Sequence, residues 1–150
     1  MRIDMTSTFL RSTLAAVTCI VAVTFAGQAF AEMVNLKAAL NGAAEVPPNP
    51  TTATGAVTAT YDTTTKKLSW KGSYVGLSGA PTAAHFHAGE PGKNGGVAVP
   101  IFTGAAAKTP FEGEAVLTDA QVADLMAGRL YVNIHTDANK AGEIRGQLTK

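Results

Sequence analysis

The chain holds one cysteine, three histidines and one tryptophan in 150 residues. The cysteine, Cys19, lies in an apolar run near the start, and none follows it. A disulfide framework is therefore excluded for everything beyond that run. An excess of one charge is also missing, since 12 basic residues face 11 acidic ones. That balance argues against the basic surface that a nucleic-acid-binding protein presents. There is no P-loop, no G-x-S-x-G elbow, no C-x-x-C pair and no internal repeat. Nucleotide-phosphate cradling, hydrolase chemistry of the elbow type and dithiol redox chemistry thus lose their usual signatures.

What is present begins with a distinct N-terminal segment. Arg2 and Arg11 mark a short polar start, the run "LAAVTCIVAVTFAG" opens at Leu14, and Ala29-Phe30-Ala31 ends it just before Glu32. A charged start, an apolar middle and an A-x-A exit describe a secretory signal peptide over residues 1–31. The competing reading is a retained anchor, because the run approaches the ~18 residues that a span needs. Gly27 and Gln28 interrupt its end and favour removal. Cys19 as an acylation site is disfavoured by the bulky Thr18 before it. The expectation is an exported protein, periplasmic or secreted, with no membrane attachment after cleavage and a domain over residues 32–150. Losing Arg2, Arg11 and Asp4 leaves 10 basic and 10 acidic residues in that domain.

The domain reads as β structure, rich in Thr, Val, Ala and Gly and cut often by turn residues. Eight short segments qualify as strands: "VNLKAAL", "AVTATYD", "LSWKGSYVGL", "TAAHFHAG", "GVAVPIF", "FEGEAVL", "LYVNIHT" and "EIRGQLT". Pro47, Pro48 and Pro50 assign "NGAAEVPPNPTTATG" to a loop, and Pro100 suggests an edge or a bulge. One helix is predicted, "TDAQVADLMAGR", with a Thr118/Gln121 capping box, Val122, Leu125 and Met126 on one face, and Gly128 as the stop. The fold expected is all-β: a Greek-key β-sandwich or flattened barrel of about eight strands with one short helix.

Period-2 alternation then assigns faces. In "AHFHA", Phe86 reads as core, which turns His85 and His87 together to the outer face. Two positions apart, their Cα atoms are ~6.6 Å from each other, a spacing from which two imidazoles converge on one ion. In "YVNIHT", Val132 and Ile134 read as core, so Tyr131, Asn133 and His135 share the outer face. In "EIRGQL", Ile144 and Leu148 read as core and Glu143, Arg145 and Gln147 face outward. If the strands are neighbours, the three histidines meet, with the loop Gly89–Gly96 as a cover. Three imidazoles suit copper or zinc at ~2.0 Å. An open fourth position would take water, a substrate or a carboxylate from Glu90, Asp137 or Glu143. Asn133 and Glu143 are candidates to orient the ligands from behind. The plain alternative is a solvated strand face with unremarkable histidines. Arg145 reads from periodicity as a surface partner of Glu143, and Trp70 and Tyr74 read as core.

The segments "LNGAAEVPP", "TGAVTATYD", "AHFHAGEPGKNGGVAVPIF" and "LYVNIHTDANKAGEIRGQL" together resemble the CHRD domain, named from chordin and common in bacterial exported proteins. The resemblance spans about residues 34–149 and implies a β-sandwich. A weaker likeness is to copper–zinc superoxide dismutases, which also carry H-x-H on one strand, a later strand-end histidine and an arginine beyond it. That likeness implies copper at His85, His87 and His135, with Arg145 as an anion guide. The further histidines and the disulfide of that family have no counterpart here, so it implies no zinc site of the same kind. Three readings follow: an exported copper-handling protein, a copper-dependent dismutase-like enzyme, and a non-catalytic module that binds an unidentified protein partner.

Overall fold

A computed structural model describes residues 32–150, with nothing stated for the side chain of Ala105. The proposed signal segment, residues 1–31, lies outside the described residues. Eight strands follow in order: β1 (Met33–Asn41), β2 (Thr54–Asp62), β3 (Lys67–Val75), β4 (Pro81–Ala88), β5 (Gly96–Thr103), β6 (Phe111–Val116), β7 (Leu130–Thr136) and β8 (Ile144–Gln147). One helix, α1 (Asp119–Met126), bridges β6 and β7. All eight predicted strands form, each within a few residues of its expected ends. No helix among the described residues is long and apolar enough to cross a membrane.

The strands make one antiparallel sheet in the order β5-β4-β7-β8-β1-β2-β3-β6. β7 returns beside β4 rather than beside β6, which is the long connection of a Greek key. The sheet curls until its two end strands approach. Phe102 of β5 and Phe111 of β6 stand edge to face with ring centroids 5.4 Å apart, and Tyr74 of β3 stacks on Phe111. The result is the flattened-barrel form of the all-β expectation.

Alternation in the sequence explains the core. Val34, Leu36, Ala38 and Leu40 of β1 point inward, as do Val57, Ala59 and Tyr61 of β2, while the residues between them are exposed or half-buried. Phe86 of β4 is completely buried and meets Trp70 of β3 edge to face at 5.1 Å. Burying such a ring stabilises the fold by about 1.5–3 kcal/mol. Among the described residues, the buried apolar side chains of the core run from Val34 to Leu148.

Two local predictions are met with added detail, and a third, the buried face of the helix, is met in part. Thr118 and Gln121 form the reciprocal capping box, and Gln121 also donates from Nε2 to the Ala98 carbonyl of β5, tying the helix to the sheet. Leu125 is buried beneath the helix and Val122 is half-buried. Met126, expected on the same face, is 44 % exposed, because the helix ends there and turns away. Pro100 fits both of its readings: β5 is an end strand, and its register against β4 shifts twice, on either side of the His85–Phe86 step.

The outer face of β4, β7 and β8 is covered more fully than one lid over the histidines would make it, and it is not the solvated face of the plain alternative. β7 is buried along nearly its whole length. The loop after β1 and the loop after β4 fold back across it, so Tyr131, Asn133 and Arg145 are buried although they point away from the core.

Candidate metal centre

The register of β4 against β7 brings the histidines together. His85 lies opposite Asn133, His87 opposite Tyr131, and His135 opposite Ala83, which sets His135 diagonally across from His85. The three ring centroids are 5.2, 5.5 and 5.7 Å apart in pairs. One ring nitrogen from each lies within 4.8 Å of the others. Among the described residues these three form the one cluster of potential ligands, so no carboxylate joins them. Glu90 sits instead 4.0 Å from Arg129, and Asp137 is an exposed turn residue.

Hydrogen bonds decide which nitrogens are free. His87 Nδ1 is 3.0 Å from the Gly95 carbonyl, and His135 Nδ1 is 3.1 Å from the Lys140 carbonyl. A carbonyl only accepts, so each Nδ1 carries the proton and each Nε2 keeps its lone pair. His87 Nε2 is buried and has no hydrogen-bond partner. His85 Nδ1 faces His135 Nε2 at 3.3 Å, so one proton joins that pair. Burial lowers all three imidazoles below the ordinary 6.5, and for His87 and His135 the neighbouring charges of His85 and Arg145 add to the lowering, against the carbonyl hydrogen bonds. Neutral imidazoles with converging lone pairs are what a metal ion requires. Two nitrogens bound to one tetrahedral or trigonal ion at ~2.0 Å lie about 3.3–3.5 Å apart. The His85–His135 pair already has that spacing, and the widest pair must close by about 1–1.5 Å.

Behind the histidines lies a buried polar network. The Tyr131 ring stacks parallel on His87, with centroids 5.1 Å apart and 10° between planes. The Arg145 guanidinium lies 4.2 Å from the same ring. Since β4 and β8 flank β7 on opposite sides, Tyr131 is held between imidazole and guanidinium. Arg145 directs Nη1 to the Lys93 carbonyl at 3.1 Å and Nη2 to Asn94 Oδ1 at 2.6 Å. Its Nε is 3.2 Å from Glu45 Oε2, an ion pair whose N–H is not aligned for a hydrogen bond. Burial pushes the Glu45 carboxyl up, and Arg145, Asn133 and the Val46 amide pull it back.

The family now follows from sequence and geometry together. The model described as the CHRD domain matches residues 36–148. The chain belongs to the CHRD family. No curated protein and no solved structure matches it. In this CHRD domain the histidines stand on the paired strands β4 and β7, and the cover is the loop that follows β4. That loop, expected as a lid over all three histidines, closes on His87 and leaves His85 and His135 half-exposed.

Two expectations behind the site are corrected. Arg145 is no surface partner of Glu143: it is 5 % exposed and pairs with Glu45. Glu143 engages none of the histidines. Its carboxylate accepts hydrogen bonds from Ser78 N, Ser78 Oγ, Thr51 Oγ1 and Thr136 Oγ1 at 2.7–2.9 Å. Glu143 lies one residue before β8, and its carboxylate sits among Ser78, Thr51 and Thr136 rather than beside Arg145. Asn133 sits beside the histidines in the register but donates from Nδ2 to Glu45 Oε1 at 2.6 Å, and its Oδ1 has no partner. Gly95 and Glu45, which no pattern singled out, carry much of the site's support. Gly95 has a sequence signal only in retrospect: a Cβ there would collide with the Ala88 carbonyl.

Proposed function

We propose that this CHRD domain binds one transition-metal ion, copper in preference to zinc, through His85, His87 and His135, and serves copper handling outside the cytoplasm. The observation that carries the reading is the commitment of two Nδ1 atoms to backbone carbonyls, which leaves their Nε2 lone pairs to bind an ion, with one nitrogen of each histidine within 4.8 Å of the others. The buried, unpartnered His87 Nε2 supports it further, since an orphaned polar atom is costly unless something binds it. Imidazole donors suit both ions, and at a given nitrogen site Cu(II) binds more tightly than Zn(II). An ion would take the place of the proton shared by His85 and His135. The extracytoplasmic setting rests on the signal-like segment of residues 1–31.

Holding the ion fits the surroundings better than a dismutase-like turnover. The charge of Arg145 is paired with Glu45, both of its Nη atoms donate to loop oxygens, and Tyr131 separates it from His87. An anion guide needs a cation that faces the open coordination position. Calorimetric titration with Cu(II) and Zn(II) tests the reading: one ion per chain is expected, with at least a hundredfold weaker binding in His135→Ala. Equal stoichiometry and affinity in that variant would overturn it.

A further inference from the structure

We propose that Tyr131 is a positioning residue that selects Nε2 of His87 as the metal-facing nitrogen. The inference rests on the metal-binding reading of the three histidines. Tyr131 reaches His87 by two routes. Its ring lies flat against the imidazole, with 10° between planes, and so sets the ring's orientation. Its hydroxyl accepts the Gly95 N–H at 3.0 Å, while the carbonyl of the same glycine accepts from His87 Nδ1 at 3.0 Å. The four groups form a closed circuit: imidazole, Gly95 carbonyl, Gly95 amide, tyrosine hydroxyl and back through the ring stack. One residue thus holds both the plane of the ligand and the carbonyl that dictates its tautomer.

The circuit is built for this one arrangement. Gly95 approaches the Ala88 carbonyl so closely that no side chain fits there, and the tyrosine ring cannot tilt away because the Arg145 guanidinium backs it. Arg145 in turn holds the neighbouring loop residues, Lys93 and Asn94, in place. An outer partner that fixes tautomer and orientation typically contributes 10–100-fold to metal affinity.

Tyr131→Phe keeps the ring and removes only the hydroxyl, so it separates the two routes. The readout is the 15N spectrum of the histidine side chains in metal-free protein, which needs no bound metal. The wild type should show His87 in the Nδ1–H form. Tyr131→Phe should show a mixture with the Nε2–H form, and Zn(II) affinity should fall about tenfold. Unchanged His87 tautomer and unchanged affinity in the variant would overturn the inference. Hydrogen exchange of the Gly95 amide in the wild type gives a check free of any variant: protection is expected, and free exchange would contradict the anchor. If the wild type binds no Zn(II) and no Cu(II), the metal reading fails, while the tautomer shift still decides whether Tyr131 sets His87.

Discussion

Glu143→Gln should destabilise the domain by roughly 3 kcal/mol at pH 7, and the difference should vanish in acid. Glu143 is completely buried. Burial alone would raise its carboxyl, but hydrogen bonds from Ser78, Thr136 and Thr51 outweigh that and lower it from 4.5 to about 2. Each tenfold change in proton affinity corresponds to about 1.4 kcal/mol, so a native-state preference for the carboxylate of this size is worth roughly 3 kcal/mol. The folded pKa lies below the unfolded one, so this stability is fully present above pH 4.5. It drains away as the pH falls toward about 2. Glutamine copies the neutral acid in size, yet it places an NH2 among groups that already donate. The hydroxyls of Ser78 and Thr136 can rotate to accept, but the Ser78 amide cannot. Urea unfolding of wild type and variant at intervals from pH 7 to pH 2 measures the gap. A gap below about 1 kcal/mol at pH 7, or one that stays constant into acid, would refute the argument.

Two further outcomes follow from the core and from the site. Phe86→Ala removes a fully buried ring that meets Trp70 edge to face, and should cost about 3–5 kcal/mol in urea unfolding at pH 7. A loss under about 1 kcal/mol would mean that β4 does not face the core as described. The metal-free protein should also lose stability as the pH falls below 6.5. All three imidazoles are lowered in the folded state, so the unfolded chain takes up protons first, and the loss levels off once the folded pKa values are passed. A triple variant with His85, His87 and His135 replaced by alanine should show a flatter profile across pH 7.5–5.5, above the range from 4.5 to about 2 in which Glu143 acts. Identical slopes would contradict histidines held neutral by the fold.

The elements of this fold were largely legible because they depend on short-range alternation. "AHFHA" can place Phe86 inward only by turning both histidines outward, and "YVNIHT" makes the same statement for His135. The capping box is likewise local, since Thr118 and Gln121 satisfy each other's end of one helical turn. What alternation cannot reveal is which strands are neighbours, and the site depends on β4 pairing with β7 across 50 residues of chain. Glu45 was invisible for a related reason. It lies in an aperiodic loop, and only the return of that loop across β8 brings it to Arg145. Glu143 was misplaced because the alternation of β8 was carried one residue beyond the strand, which begins at Ile144. The loop Gly89–Gly96 was expected as a cover, but the part played by the loop after β1 was missed, because loops carry no period to read.

X-ray absorption at the metal edge of copper-loaded protein addresses the central claim directly. About three nitrogen neighbours at ~2.0 Å with the multiple-scattering pattern of imidazole rings are expected, and that pattern should be lost in the triple histidine variant. A first shell of oxygen alone, or an imidazole signature that survives replacement of all three histidines, would contradict it.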